Sequence, residues 1–430
     1  MRIDASSPPR LSAKIADMNT PSSDSLTLAD IQAARERIRD GIALTPCPPS
    51  VPLAEVAGCE VFCKLEFLQR TGSFKERGAR NALILLSDDA KQKGVIAASA
   101  GNHALALAYH GSSLGIPVTV VMPTYAPLIK QTNCRKLGAK VEVQGTSFAE
   151  AKQRAGEIAA QQGLTYVDGY NDPGVIAGAG TLGLEVLEQV PDLAAVIVPL
   201  GGGGLVAGVA LAIKSLRPQT DVIGVQAANA TAFSAAIEAG SPVDVTTQPT
   251  LADGLAVSRA GSLALEIARQ RIDKIVTVTE ADIALAVVRL MELEKSVVEG
   301  AGAASLAALL SGKLPELAGK KVVLLLCGGN IDLTILSRLI DAALVADGRL
   351  ARFTAEISDR PGGLANFATI LTQLGVSVKD IVHDRTFCAP NVAAVNVLCT
   401  VETRDAAQIA ELYRCLTSAG IRHFAHVGRE

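Results

Sequence analysis

The chain contains 430 residues, about three times the length of an average domain, so two or three domains are expected. Forty Lys and Arg residues against 43 Asp and Glu residues give a net charge of −3, which argues against a general attraction to nucleic acid or anionic membranes. Apolar residues make up 49% of the chain, and no run of 18 apolar residues predicts a membrane-spanning helix. Residues 1–26 lack the apolar core of a secretory signal and are predicted to form a flexible tail.

Eight cysteines are spread along the chain without a C-x-x-C pair. Cys59 and Cys63 have no matching His or Cys pair nearby, so we predict no zinc site and no other bound metal. The pattern favours reduced, buried thiols, and we therefore predict a cytoplasmic protein.

A helical pattern at residues 28–38, with Thr27 as its N-cap, opens a domain predicted to cover residues 27–347. Strands and helices then alternate, which predicts an α/β domain of parallel sheets with helices on both faces. The predicted strands cover residues 60–66, 95–98, 118–122, 140–143, 195–198, 221–225 and 321–326. The predicted helices cover residues 103–114, 127–137 and 148–162, and another continues from a run of glycines to Leu216.

The pattern changes after Asp347, which indicates a second module at residues 350–430. Its predicted strands cover residues 352–357, 376–382, 392–401 and 421–427, and its predicted helices cover residues 363–374 and 406–419. The resulting βαββαβ order is typical of a ferredoxin-like domain.

Lys75 is the first candidate for chemistry, because a Gly-Ser turn places it in the first turn of a predicted helix. An ammonium group at a helix N-terminus is opposed by the helix dipole, which lowers its pKa and makes the amine a better nucleophile. The alternative is an ordinary solvated lysine.

Three further segments follow predicted strands. Ser99–His103 opens a helix whose backbone N–H groups would hold a carboxylate, with Asn102 adding a side-chain hydrogen bond. Gly201–Gly204 would let the backbone wrap around a phosphate, and no Lys-Ser/Thr pair of a Walker A loop follows. Cys327 ends an apolar strand, where it could contact a ligand or be a core thiol. Pyridoxal phosphate (PLP) would explain all of these features, since it carries an aldehyde, a phosphate and a hydrogen-bonding ring.

At these motifs the chain resembles the threonine/serine dehydratases, which are PLP enzymes of fold type II (tryptophan synthase β-like). This resemblance implies a catalytic domain of two lobes, with the smaller lobe at roughly residues 68–170. The matching segments occur in the order of the family: SFKERGA at 73–79, SAGNH at 99–103, VIAGAGT at 175–181, GGGGL at 201–205, LADG at 251–254, VEGAG at 298–302 and CGGNID at 327–332. The C-terminal module resembles an ACT domain, with DRPG at 359–362 in its first turn.

The resemblance implies a role for each motif residue. Lys75 would attach the cofactor covalently, Phe74 would pack against its ring, Asn102 would bond the ring hydroxyl, and Cys327 would face the pyridine nitrogen. The cofactor phosphate would be held by Gly201, Gly202, Gly203, Gly204 and Leu205. The substrate would be bound by Ser99, Ala100, Gly101, Asn102 and His103, with Gly254 and Glu299 lining the site.

The reaction implied is an ammonia-lyase reaction: L-threonine would give 2-oxobutanoate and ammonia by α,β-elimination, and L-serine would give pyruvate. The resemblance also implies a homo-oligomer, a place in isoleucine biosynthesis, and an allosteric amino-acid effector bound by the ACT-like module. No nucleic-acid or membrane partner is expected.

The chain departs from family patterns in ways that bear on the alternatives. Ala100 stands where racemases carry a serine base, Ala179 replaces a usual glutamine, and Gln226 and Ala232 stand where racemase-like members carry acidic metal ligands. The alternatives are a serine racemase, a 3-hydroxyaspartate ammonia-lyase and, more remotely, a non-catalytic amino-acid sensor. For the second of these, Arg77 and Arg135 stay open as partners of a distal carboxylate.

Overall fold

The computed structural model describes residues 26–385 and 393–426. Its α-helices are α1 (Leu28–Ile38), α2 (Val51–Ala57), α3 (Lys75–Leu85), α4 (Asp88–Lys93), α5 (Asn102–Leu114), α6 (Leu128–Lys136), α7 (Phe148–Gln162), α8 (Pro173–Gln189), α9 (Gly204–Leu216), α10 (Ala232–Ala239), α11 (Ser262–Ala268), α12 (Glu280–Glu294), α13 (Gly300–Leu310), α14 (Leu333–Ala346), α15 (Gly363–Gln373) and α16 (Ala406–Ser418). Its strands are β1 (Pro49–Ser50), β2 (Glu60–Lys64), β3 (Val95–Ala98), β4 (Val118–Met122), β5 (Lys140–Val143), β6 (Thr165–Tyr166), β7 (Ala195–Pro199), β8 (Asp221–Ala227), β9 (Lys274–Val278), β10 (Lys321–Leu325), β11 (Leu350–Ser358), β12 (Ser377–Asp384), β13 (Ala394–Glu402) and β14 (Arg422–Ala425).

Two parallel sheets form the larger part of the molecule. The larger sheet has the order β1-β2-β10-β7-β8-β9, in which only β1 pairs antiparallel with its neighbour. The smaller sheet has the order β5-β4-β3-β6 and is parallel throughout. Strands such as β3 and β7 are buried along their whole length, as expected for parallel sheets covered on both faces. The predicted α/β architecture is confirmed.

The C-terminal part forms an antiparallel sheet with the order β12-β13-β11-β14. Helices α15 and α16 follow β11 and β13, so the element order is the predicted βαββαβ order of an ACT-like fold. Phe353, Phe367 and Leu412 are buried in a core of this part. The predicted change of pattern after Asp347 falls between the end of α14 and the start of β11.

Several predicted element bounds need correction. The first predicted strand ends at Lys64, and residues 66–68 form a short 3-10 helix instead. The strand predicted at 392–401 covers Ala394–Glu402, and the last strand covers only Arg422–Ala425. Val392 and Val427 lie outside the described residues, as does nearly all of the tail predicted at residues 1–26.

The cysteines within the described residues are all free, and five of these seven are buried. The eighth, Cys388, lies outside the described residues. No helix in the described part of the chain is both long enough and apolar enough to cross a bilayer.

Candidate active site

The four predicted segments meet at one cavity of about 590 Å³. Ser99–His103 follows β3 of the smaller sheet, whereas the glycine run and Cys327 follow β7 and β10 of the larger sheet. The cavity therefore lies where the carboxyl ends of strands from both sheets face each other, as is usual for ligand sites in α/β proteins. Every predicted site residue lines it: Phe74, Lys75, Ser99, Ala100, Gly101, Asn102, His103, Gly201, Gly202, Gly203, Gly204, Leu205, Gly254, Glu299 and Cys327.

Lys75 is the first residue of α3, and its side chain reaches into this cavity. Its Nζ donates to the carbonyl of Gly169 at 2.5 Å and lies 5.1 Å from the centroid of the Phe74 ring. Burial lowers the pKa of Lys75 to about 8, although the negative charges of Asp168 and of ionised Glu299 oppose this shift. The direction is the predicted one, but burial is its largest cause.

Asn102 is held by two side chains from distant segments. Its Nδ2 donates to Oε1 of Glu299 at 2.7 Å, and its Oδ1 accepts from Nδ2 of Asn330 at 2.8 Å. Asn330 also donates to the carbonyl of Thr71, which precedes the Lys75 helix. The network fixes the orientation of the Asn102 amide toward the cavity.

Glu299 is 4% exposed, and burial together with the charge of Asp253 raises its pKa to about 7. The native state therefore binds more protons than the unfolded state between pH 4.5 and about 7, so this group lowers the free energy of unfolding as the pH rises through that window. The amide of Glu299→Gln does not titrate, and its oxygen can still accept from Asn102. We expect the stability gain of the variant relative to the wild type to grow through this window and to reach about 3 kcal/mol near pH 7.

Urea unfolding of both proteins at a series of pH values through this window measures the gain. Since only the difference between the two free energies of unfolding is used, the contributions of the other titrating groups cancel. Parallel stability profiles would contradict the raised pKa of Glu299.

His103 is 5% exposed, and its Nε2 lies 3.0 Å from the carbonyl of Val167. Burial and the charge of Lys75 lower its pKa to about 4, so the ring is neutral and must carry its proton on Nε2. Its Nδ1 has no hydrogen-bond partner within the described residues and can only accept a hydrogen bond. A substrate carboxylate would therefore be bound by the open N–H groups at the start of α5, where Gly101 as N-cap has no side chain to cap them.

The glycine run forms a narrow turn before α9. Gly203 has φ +99°, a conformation that favours glycine, and an added Cβ there would lie 2.3 Å from the Phe233 ring. A Cβ on Gly202 would lie 2.5 Å from the Tyr170 ring, and one on Gly204 would lie 2.6 Å from the Tyr170 carbonyl oxygen. The first turn of α9 has no side-chain cap, so its N–H groups can bind an anion. This turn fits the phosphate of PLP.

Cys327 lies two residues beyond the end of β10 and is 3% exposed. Burial raises the pKa of its thiol far above its ordinary value, so the thiol stays neutral. Its carbonyl accepts from the backbone N–H of Phe74 at 3.0 Å, which places the start of the Lys75 helix beside the end of β10.

Three side chains that the sequence analysis weighed as possible site residues lie outside the cavity. Arg77 and Arg135 do not line the cavity, and Arg77 is buried in ion pairs with Glu66 and Glu185. Gln226 is buried, and its amide donates to the Ala230 carbonyl and accepts from the Ser234 hydroxyl.

Sequence reasoning missed several residues that line the site, among them Lys130, Lys152 and residues 168–170 of the loop at 167–171. They include Gly169, whose carbonyl accepts from Lys75, and Asp168, which interacts with Lys152 at 3.3 Å. The Asp-Gly-Tyr-Asn composition after β6 is a turn signal, but nothing in it predicts proximity to Lys75.

Comparisons with known proteins identify the family. The family of pyridoxal-phosphate dependent enzymes matches residues 38–328, a range that includes Lys75, the glycine run and Cys327. The chain belongs to this family. PLP is therefore the cofactor of the fold, and the cofactor predicted from the sequence is confirmed.

Several relatives within this family are named as threonine ammonia-lyases or threonine dehydratases. The chain is 42% identical to an L-threonine ammonia-lyase of Thermotoga maritima over 92% of this chain and 98% of that protein. It is 44% identical to the catabolic L-threonine dehydratase TdcB of Escherichia coli over 73% of this chain and 96% of that protein. The predicted resemblance to threonine/serine dehydratases is confirmed.

Solved structures show the same fold. The processed form of threonine deaminase isoform 2 from Solanum lycopersicum matches with a TM-score of 0.71 and 35% identity, over 75% of this chain and 94% of that chain. A serine racemase from Dictyostelium discoideum matches with a TM-score of 0.68 and 35% identity, over 71% of this chain and 99% of that chain. Fold similarity alone therefore does not separate the lyase from the racemase.

Proposed function

We propose that this chain is a PLP-dependent threonine ammonia-lyase, which converts L-threonine to 2-oxobutanoate and ammonia by α,β-elimination and converts L-serine to pyruvate. The observation that carries this proposal is the Lys75 amine, whose pKa is lowered to about 8 inside a cavity that also contains the open N-terminus of α5. The L-threonine ammonia-lyase of Thermotoga maritima supports it, because the similarity covers 98% of that protein.

The residues around the cavity fit the cofactor. Lys75 would attach it, the turn at Gly201–Gly204 and Leu205 would hold its phosphate, Asn102 would bond its ring hydroxyl, and the neutral Cys327 thiol would face its ring nitrogen. When bound, PLP draws electrons away from the Cα of an attached amino acid.

Lys75 is the base that this arrangement supplies. An amine with a pKa of about 8 is partly neutral in the pH range in which most enzymes work, so it can take the Cα proton and hold it as an ammonium group. The carbonyl of Gly169 accepts from that ammonium group. The β-hydroxyl group then leaves as water with the proton that Lys75 took from Cα, so the amine becomes neutral again. Hydrolysis of the released product by a second water gives the 2-oxo acid and ammonia.

Elimination is favoured over racemisation by the side chain of residue 100. Racemisation needs a second proton carrier on the opposite face of the substrate, and Ala100, which lines the cavity, has only a methyl group.

A substrate with a neutral side chain is favoured over 3-hydroxyaspartate, because the second carboxylate of 3-hydroxyaspartate would need a cationic partner in the cavity. Among the described lining residues, the lysines other than Lys75 already have acidic partners, since Lys130 pairs with Asp253 at 3.0 Å and Lys152 pairs with Asp168.

The test is an assay of the purified, PLP-loaded chain with four substrates: L-threonine, L-serine, 3-hydroxyaspartate and D-serine. Formation of 2-oxobutanoate from L-threonine is the expected result. A chain that forms D-serine from L-serine but no oxo acid would instead be a racemase. A chain that acts only on 3-hydroxyaspartate would contradict the role assigned to the Lys130 and Lys152 pairs.

We also propose a domain organisation, an effector role for the C-terminal module and a cellular compartment. Residues 27–347 would form the catalytic domain, with a smaller lobe at roughly residues 68–170, and residues 350–430 would bind an amino-acid effector and support a homo-oligomer. The cytoplasm is the proposed compartment, which is consistent with the free cysteines of the described residues. Titration of isoleucine and valine against the rate tests the effector role, and unchanged rates with both would count against it.

A further inference from the structure

Asp168 organises the 167–171 loop that carries the hydrogen-bond acceptor of Lys75. Its Oδ1 accepts from the backbone N–H groups of Tyr170 and Asn171, each at 3.0 Å, and thereby closes a tight turn. Its Oδ2 lies 3.3 Å from Nζ of Lys152 on α7. The turn leaves the carbonyl of Gly169 directed at Nζ of Lys75.

The same loop is fixed at both of its ends. At the first end, His103 bonds the carbonyl of Val167 and its ring packs on Gly169, where an added Cβ would lie 3.0 Å from the ring. At the other end, Tyr170 packs against the glycine turn, and Oδ1 of Asn171 accepts from the backbone of Leu263 at 2.9 Å. The 167–171 loop therefore connects the Lys75 amine with the glycine turn at residues 201–204, which fits the phosphate.

In the part of the chain that the structure describes, four titratable groups face Lys75 from the surrounding elements: Asp168, His103, Glu299 and Cys327. His103 and the thiol of Cys327 are neutral near pH 7, and Glu299 is only partly ionised there because its pKa is about 7. Burial opposes the ionisation of Asp168, but Lys152 and the two backbone N–H groups keep the pKa of its carboxyl below its ordinary range. Asp168 is thus the group of these four that stays negatively charged throughout the neutral range.

We propose that Asp168 is a positioning residue for the cofactor lysine: it holds the 167–171 loop so that the Gly169 carbonyl receives the Lys75 ammonium group, and its charge, shared with Lys152, favours the protonated lysine. Lys152 limits this effect, because it partly neutralises Asp168. The inference rests on the proposed role of Lys75 as the PLP lysine, and it is independent of which amino acid is the substrate.

The test measures how fast the full-length chain, freed of PLP, captures added PLP as a function of pH. Capture is followed by the visible absorption of the attached cofactor, and its rate rises as the Lys75 amine loses its proton. Asp168→Asn keeps an acceptor oxygen for the loop but removes the charge, so the midpoint of the profile is expected to fall by about 1 pH unit. Lys152→Met removes the compensating charge, so the midpoint is expected to rise.

Asp172→Asn is the matched control. Asp172 lies on the same stretch of chain, but its carboxylate caps α8 by accepting from Val175, a contact that the asparagine oxygen can also make. The midpoint of this variant is expected to equal that of the wild type, and comparison among variants removes the pH dependence of PLP itself. Circular dichroism of each variant checks that it is folded.

Opposite shifts in Asp168→Asn and Lys152→Met, with no shift in Asp172→Asn, would establish the proposal. Unshifted midpoints in both folded variants, or a uniform loss of PLP capture without a shift, would overturn it. Loss of threonine turnover is not part of this readout, so failure here is distinguishable from failure of the proposed lyase activity.

Discussion

Lys75→Ala is expected to abolish the conversion of L-threonine and the visible absorption of the attached cofactor together. The lost proton transfer alone accounts for a decrease of roughly 10²–10⁴-fold in kcat, and the lost attachment point adds to it. The physical reason is that the variant has no amine at the cavity position where Nζ of Lys75 bonds the Gly169 carbonyl. The measurements are a visible spectrum of the purified variant with added PLP and an assay for 2-oxobutanoate.

A suitable control is Lys93→Ala, which removes an exposed lysine that pairs with Asp89 on the surface of α4. Its spectrum and its rate should match those of the wild type. Retention of both the absorption and most of the rate in Lys75→Ala would contradict the assignment of the cofactor lysine. Retention of the absorption alone would mean that another amine binds the cofactor.

Arg77→Met is expected to lower the free energy of unfolding by about 3–5 kcal/mol. Arg77 is 1% exposed, and its guanidinium group contacts the carboxylates of Glu66 and Glu185, both buried. Burial opposes the ionisation of Glu66, but Arg77 keeps the pKa of this carboxyl below its ordinary range. Removal of the guanidinium group would leave two carboxylates in the interior. Among the described residues their remaining cationic partner would be Lys64, which contacts Glu185 at 2.5 Å.

Arg35→Met provides the comparison, because Arg35 pairs with Glu188 on the same helix α8 but both side chains are at least one-third exposed. An exposed pair contributes less than about 1 kcal/mol, so this variant should unfold close to the wild-type urea midpoint. Equal losses in the two variants would contradict the importance of burial for the Arg77 network.

The strands of the parallel sheets could be predicted well from the sequence. β3, β4 and β5 begin and end at the predicted residues, because a short apolar run between turn residues is a local signal. The glycine turn and the motif around Lys75 were also predictable, since backbone conformation there depends on residues that are close in sequence.

The network around these motifs could not be predicted in the same way. Glu299 was expected only to line the site, whereas it bonds Asn102 across 197 residues of sequence and has a raised pKa. Arg77 looked from sequence like a candidate partner for a substrate carboxylate, but its partner Glu185 lies 108 residues away on a different helix. Asp168 carried no signal that linked it to Lys75.

The amino-acid sequence therefore determines the class of fold, the cofactor and the lysine that would hold it, because these depend on local turns, hydrophobic periodicity and the identity of single residues. The tertiary structure decides which charges surround that lysine and how far its pKa falls. Burial, the largest cause of the shift at Lys75, and the opposing charge of Asp168 exist only after distant segments have packed together. Electrostatic energy depends on distance and solvent exposure, and neither quantity can be obtained from spacing along the chain.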